Sequence, residues 1–225
     1  MEKKEMKHTS SIVLRPSSFV RKHAYFITLE GSEGSGKSSV IGFLEKLLKE
    51  KGFTVKIFRE PGSTRIGEKI RELLLDKKNM ELSPYTELLL YLAARCQLIE
   101  EKLAGDLEKF DFVICDRFFD STLVYQGYGL ALGSIVEKSV KMFSLGYIPD
   151  LTLILDVPVK TGLKRIKNKD RIESRSIVFH NRLRKGYLAL AKKYPKRIRM
   201  IDANSDLEKI YLKVRKILNA KFNVT

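Results

Sequence analysis

The chain has 225 residues, 44% of them hydrophobic, enough to bury the core of one large domain and better suited to one domain than to two small ones. Its 43 basic residues against 27 acidic ones leave a formal net charge of +16, which attracts polyanions of every kind without choosing among them. No apolar run approaches the roughly 18 to 20 residues that span a bilayer, so a soluble, cytoplasmic protein is expected.

Residues 1–23 mix charges, serines and a proline and read as a flexible extension without the apolar centre of a secretory signal. From Tyr25 onward, β-branched and aromatic runs alternate with segments of helical period, the pattern of βαβ units around a parallel sheet. Strands are expected at 25–30, 53–58, 111–116, 151–156 and 198–202, several of them closing on an acidic residue. Open α/β sheets bind ligands beyond those carboxyl ends.

After the first strand, Gly31, Ser32, Glu33, Gly34, Ser35, Gly36, Lys37 and Ser38 match G-x-x-x-x-G-K-[ST] in full, and a helix is expected over 38–51. Glycines let the backbone curl so that its N–H groups converge on one anion. Lys37 then reaches the β- and γ-phosphates of ATP, Ser38 offers its hydroxyl to Mg²⁺, and Ser39 completes the binding stretch. Glu33 is an oddity, a carboxylate inside an anion cradle.

The second strand leads into "REPGST" (59–64), where Pro61-Gly62 turn the chain and aim Arg59 from the sheet edge. Helices follow over 65–76 and over a long stretch from 84 to 109, opened by Ser83 as cap and Pro84 in the first turn. Cys96 lies in that stretch and Cys115 in the third strand, without C-x-x-C spacing or neighbouring histidines; both read as core residues of a reduced protein.

The third strand ends in Asp116, the usual place of an Mg²⁺-organising aspartate, though a plain strand terminator has the same position. Arg117 follows it. Two guanidinium groups from neighbouring strand ends, Arg59 and Arg117, can clamp a monophosphate, or each can make an ordinary surface salt bridge. Beyond the fourth strand, 165–174 is polar and basic, and helices are expected over 175–194 and 206–221. No N-K-x-D guanine-reading motif occurs, which sets a GTPase switch aside. Lys and Glu alternate along many helix faces, so the positive charge reads as solvated surface and nucleic-acid binding is not favoured.

Taken together, "EGSEGSGKS", "FREPGST", "YLAAR" (91–95), "DRFFDSTLVYQG" (116–127), "PDLTLILDV" (149–157), "GLKR" with "DRIES" (170–174), and "FHNRLRKGYLALA" (179–191) resemble the thymidylate kinase family, from about Tyr25 to the chain's end. The resemblance implies a P-loop NTPase fold over 24–225, a five-stranded parallel sheet with a lid at about 165–174, and phosphoryl transfer from ATP to dTMP with Mg²⁺. It assigns Tyr91 to stacking on the base and Arg95 to its 4-carbonyl, Arg117 to the acceptor phosphate, Ser121 and Thr122 to the base edge, and Tyr125 to the sugar. Glu33 is implied at the dTMP sugar and phosphate. The absence of arginine at 32–35 resembles the bacterial-type arrangement, whose catalytic cations come from the lid: Arg165, Lys167, Lys169 and above all Arg171. A homodimer joined through the long helix is also implied. The alternatives are a related nucleotide or deoxynucleoside kinase with another acceptor, and a non-catalytic nucleic-acid-binding P-loop protein.

Overall fold

The computed structural model describes residues 23–224, so the extension expected over 1–23 lies, but for His23, outside the described residues. Strands form at Tyr25–Gly31 (β1), Val55–Arg59 (β2), Phe112–Asp116 (β3), Leu151–Asp156 (β4) and Ile198–Asp202 (β5). They pair in parallel in the order β2-β3-β1-β4-β5. The interior strands β1, β3 and β4 are buried almost throughout while β2 and β5 are mixed, as expected of a sheet with both faces covered.

Side-chain alternation splits the core into layers. Ile27, Leu29, Phe112, Ile114, Leu153 and Leu155 meet helices α1 (Lys37–Glu50) and α9 (Leu207–Phe222) on one face. Phe26, Val113 and Cys115 turn to the other face, against Leu88, Leu92 and Leu98 of α3 (Pro84–Leu98). Both cysteines are free thiols, Cys115 buried and Cys96 partly so.

Helix starts follow their caps. Thr64 accepts from the Gly67 N–H at 2.9 Å to open α2 (Arg65–Leu75), and Ser83 accepts from the Thr86 N–H at 3.2 Å with Pro84 in the first turn. The helix expected to run unbroken over 84–109 instead passes from α3 through a π-helical stretch, Ile99–Leu103, into α4 (Ala104–Lys109). Between β3 and β4 lie elements the sequence pattern did not announce: α5 (Phe119–Thr122), a π-helical stretch Leu123–Gly129, and α6 (Ser134–Phe143). Two more helices, α7 (Val159–Lys164) and α8 (Ile177–Lys193), flank the 165–176 segment. Because the chain builds β2 and β3 on one side of β1 and β4 and β5 on the other, strand order reverses at β1, and a ligand crevice is expected above its carboxyl end.

Candidate active site

That crevice holds a cavity of about 480 Å³ whose wall includes Glu33 through Ser39, Asp116, Arg117 and Arg165 on one side. Gly34 sits at φ 67°, and a Cβ there would come within 2.0 Å of the Gly162 carbonyl oxygen of α7. The loop therefore rests backbone against backbone, a packing only glycine allows. Gly31 and Ser32 lie beneath the wall, their carbonyl oxygens 3.4 and 3.5 Å from Lys37 Nζ. Burial, and then the charge of Arg117, lower the Lys37 amine to about 8; an anion in the cavity acts in the opposite sense.

Asp116 and Ser38 line the same cavity. Asp116 Oδ1 is buried without a hydrogen-bond partner among the described residues. A spare carboxylate oxygen and a hydroxyl suit a hard, oxygen-ligated dication that keeps much of its shell from water and phosphate.

Arg117, at φ 70°, turns back over the loop. Its Nη1 donates to the Gly31 carbonyl at 2.9 Å, to Ser121 Oγ at 3.2 Å and to Tyr187 Oη at 3.2 Å, and its Nη2 lies 3.4 Å from Glu33 Oε1. The Tyr125 hydroxyl also donates to Glu33 Oε1. Burial alone would raise the Glu33 carboxyl, but His180, Arg117, Tyr125 and Lys37 together hold it down to about 2. Nearby Glu30 moves oppositely: burial, with Asp120 adding a like charge, raises it to about 7.

Across the cavity stand Tyr91 and Arg95, one helical turn apart on α3. Arg95 is 1% exposed and makes a two-pronged pair with Glu60, Nε at 3.0 Å and Nη2 at 2.7 Å from Oε2, while Nη2 also donates to Thr122 Oγ1 at 2.8 Å. Its Nη1 is buried and has no partner among the described residues. Leaving such a donor unmet costs about 1–3 kcal/mol or more, so the site is shaped for an acceptor atom supplied from the cavity.

Several expected side chains point elsewhere. Arg59 is absent from the cavity wall; its guanidinium pairs with Glu68 at 2.8 Å on the surface. Ser63, at φ 65°, secures that turn by accepting from the Arg59 N–H and donating its own N–H to Glu68. Arg71 of α2, which the motif reading did not name, does line the cavity, anchored on the Pro61 carbonyl at 3.0 Å. Of the two arginines expected to clamp a phosphate, the structure brings Arg117 to the cavity and holds Arg59 on Glu68.

Within 165–174, Arg165 lines the cavity and donates to the Gly34 carbonyl at 3.1 Å. Lys167 and Lys169 are exposed and off its wall. Arg171, expected as the mobile lid cation, is 1% exposed and tied to the Leu74 carbonyl and to Glu87 Oε2, both at 2.6 Å. Glu87 also accepts from Arg175 at 2.6 Å and Gln126 at 3.0 Å, so Arg171 serves here as an anchor. Ser121 lines the cavity but commits its hydroxyl to Glu30 Oε2 at 2.5 Å, away from a base edge. Sequence reasoning missed Glu60, Arg71, Glu87, His180 and Tyr187. Arg71 is one cation among many on an amphipathic helix; His180 and Tyr187 stand seven apart in the "FHNRLRKGYLALA" stretch, a helical-face spacing that could have flagged them.

The family model described as thymidylate kinase matches residues 29–214. Among similar proteins, the thymidylate kinase of Carboxydothermus hydrogenoformans is 44% identical over 197 residues, 86% of this chain and 96% of its own. That of Clostridium novyi is 42% identical over 199 residues, 86% of this chain and 97% of its own. The crystal structure of thymidylate kinase from Ehrlichia chaffeensis superposes with a TM-score of 0.71 at 33% identity, covering 87% of this chain and 98% of that one.

Proposed function

The chain belongs to the thymidylate kinase family, and from that premise we propose that it transfers the γ-phosphoryl group of ATP to dTMP, giving ADP and dTDP, in the crevice above β1 and β3. The observation that carries the reading is the continuity of one cavity from the phosphate loop to Tyr91 and the unspent Nη1 donor of buried Arg95. A loop for the donor phosphates and a keto-seeking arginine for the acceptor base thereby share one chamber. Cytosine presents an amino group where thymine presents a carbonyl, and leaves that donor unmatched.

The acceptor is a phosphate monoester with a second pKa of about 6, so its attacking oxygen is already ionised near pH 7 and no general base is needed. Catalysis reduces to alignment and to neutralising charge on the transferred group. Gly31 through Ser39 cradle ATP, with Lys37 on its outer phosphates. Arg117 and Arg71 hold the acceptor phosphate, Tyr91 stacks on the base, Thr122 steadies Arg95, and Tyr125 with Glu33 meets the sugar. Arg165, on the cavity wall, is the basic side chain of the lid segment placed to answer charge on the transferred phosphoryl. Ser38 and Asp116 would hold Mg²⁺, whose chemistry is to draw charge from the donor phosphates.

We further infer a homodimer through α3, whose Tyr85 and Leu89, one turn apart, are 60% and 62% exposed. A cytoplasmic setting agrees with the two free thiols and with the absence, among the described residues, of a helix long and apolar enough to cross a membrane. The test is ADP release with each nucleoside monophosphate and with thymidine, beside a Lys37→Ala control. Turnover is expected with dTMP, with loss by at least about 100-fold in the control. Preference for thymidine, or dTMP turnover unchanged in Lys37→Ala, would overturn the reading.

A further inference from the structure

The helix α8 supplies no residue to the reaction as assigned above, yet it touches both Glu30, just before the phosphate loop, and Glu33 within it. His180 and Tyr187 are seven residues apart and share a face of α8. His180 is 1% exposed, and its Nδ1 stands 3.4 Å from Glu33 Oε2. The pair is off the line of a hydrogen bond, and neither that oxygen nor either ring nitrogen has a partner among the described residues. Tyr187, 2% exposed, donates to Glu30 Oε2 at 3.0 Å and accepts from Arg117 Nη1 at 3.2 Å, with Ser121 Oγ at 3.1 Å.

The close seating of α8 is built into the chain. A Cβ on Gly129 would come within 2.6 Å of the Phe179 ring, and one on Gly186 within 2.9 Å of the Tyr128 ring. Each glycine lets the partner element approach by the width of a side chain, bringing His180 and Tyr187 up to the loop. Neither residue lines the cavity.

We propose that His180 and Tyr187 are positioning residues for the acceptor nucleotide, His180 orienting Glu33 at the sugar and Tyr187 orienting Arg117 at the phosphate. Glu33 has one oxygen engaged, by Tyr125 and Arg117, and one free to be placed. Rotation about the last bond of a Glu side chain is soft, so an unbraced carboxylate swings toward Lys37 and competes with phosphate for it. A neutral imidazole protonated on Nδ1 and an imidazolium both carry a donor on that nitrogen, 3.4 Å from Glu33 Oε2, and a small turn of either side chain closes the bond that stops the swing. Tyr187 does the same for the guanidinium, which otherwise leans on Ser121 and the Gly31 carbonyl alone on its Nη1 side.

This inference rests on the proposed function, and titration calorimetry with dTMP and with a non-hydrolysable ATP analogue separates the two. His180→Leu and Tyr187→Phe are each expected to weaken dTMP binding about tenfold, the scale of one hydrogen bond to a charged group, with ATP-analogue binding changed less than about twofold. His180→Asn, whose amide nitrogen reaches the place of Nδ1, restores most of the loss. In a Glu33→Gln background, His180→Leu adds less than about twofold, since a residue acting through Glu33 has nothing left to orient. Equal weakening for both nucleotides, or full additivity with Glu33→Gln, overturns the inference. No dTMP binding by the wild-type protein overturns the proposed function itself. Should His180→Leu fail to fold, His180→Phe, a ring without a donor, carries the same comparison beside Tyr187→Phe.

Discussion

Glu30 and Glu33 are three residues apart, at the end of β1 and inside the phosphate loop, and both are buried, yet one is pushed up to about 7 and the other held down to about 2. Burial opposes ionisation at both. The difference lies in what each carboxylate faces. Glu30 looks down toward Asp120 and is met by the Ser121 hydroxyl, the Tyr187 hydroxyl and the Phe118 N–H, with Arg117 the cation on its side. Glu33 looks into the crevice and gathers His180, Arg117, Tyr125 and Lys37. A negative charge can therefore sit inside an anion cradle when it brings its own cations. Its neighbour beneath the floor works as a hydrogen-bonding strut.

The largest effect should come from removing the ionised member. Glu33→Ala is predicted to lower dTMP-dependent kcat/KM by about 10²-fold, the cost of misplacing an acceptor by about 1 Å. The dissociation constant for ATP, measured without acceptor, should stay within about threefold. Equal loss of both would make Glu33 a loop-shaping residue and erase the distinction from Glu30.

Stability against pH gives the next contrast. The folded value of Glu30 lies above the ordinary 4.5, so the native state binds the proton more tightly. Its contribution makes stability fall as pH rises from 4.5 toward about 7 and level off above. Glu33 lies below 4.5, so its contribution is present above that value and is lost as pH falls toward about 2. Each amounts to something on the order of 3 kcal/mol. In urea titrations across pH, Glu30→Gln should flatten the decline between 4.5 and 7, and Glu33→Gln should weaken the acid limb. An unchanged decline in Glu30→Gln would assign it to other groups.

This contrast was only half legible in the sequence. The phosphate loop, Asp116 and all five strands could be read because each rests on local signals: glycine spacing, β-branched runs, an acidic strand end. Glu33 was conspicuous within its motif, whereas Glu30 looked like the last residue of a strand. Its burial depends on Tyr187, 157 residues away, and on Ser121, 91 residues away. The same limit explains Arg59 and Arg171. Their motif positions were visible, but the partners that draw them off the cavity, Glu68 and Glu87, belong to helix faces whose rotation is settled by packing. The helical run of 119–129 escaped notice because π-helical turns at Leu123–Gly129 break the 3.6-residue period.

The smallest predicted effect decides whether Ser121 belongs to the surroundings of Glu30 or to the acceptor site. The family resemblance places Ser121 at the base edge, while the structure turns its hydroxyl to Glu30 Oε2 at 2.5 Å. If the strut is its role, Ser121→Ala costs about 1 kcal/mol of stability and leaves KM for dTMP within about threefold. Its hydroxyl is also one of the groups holding the Glu30 value down, so the upper edge of the pH-dependent decline should move upward from about 7. A tenfold rise in KM for dTMP with no movement of that edge would return Ser121 to the acceptor site. Glu30 would then rest on Tyr187 and the Phe118 N–H without it.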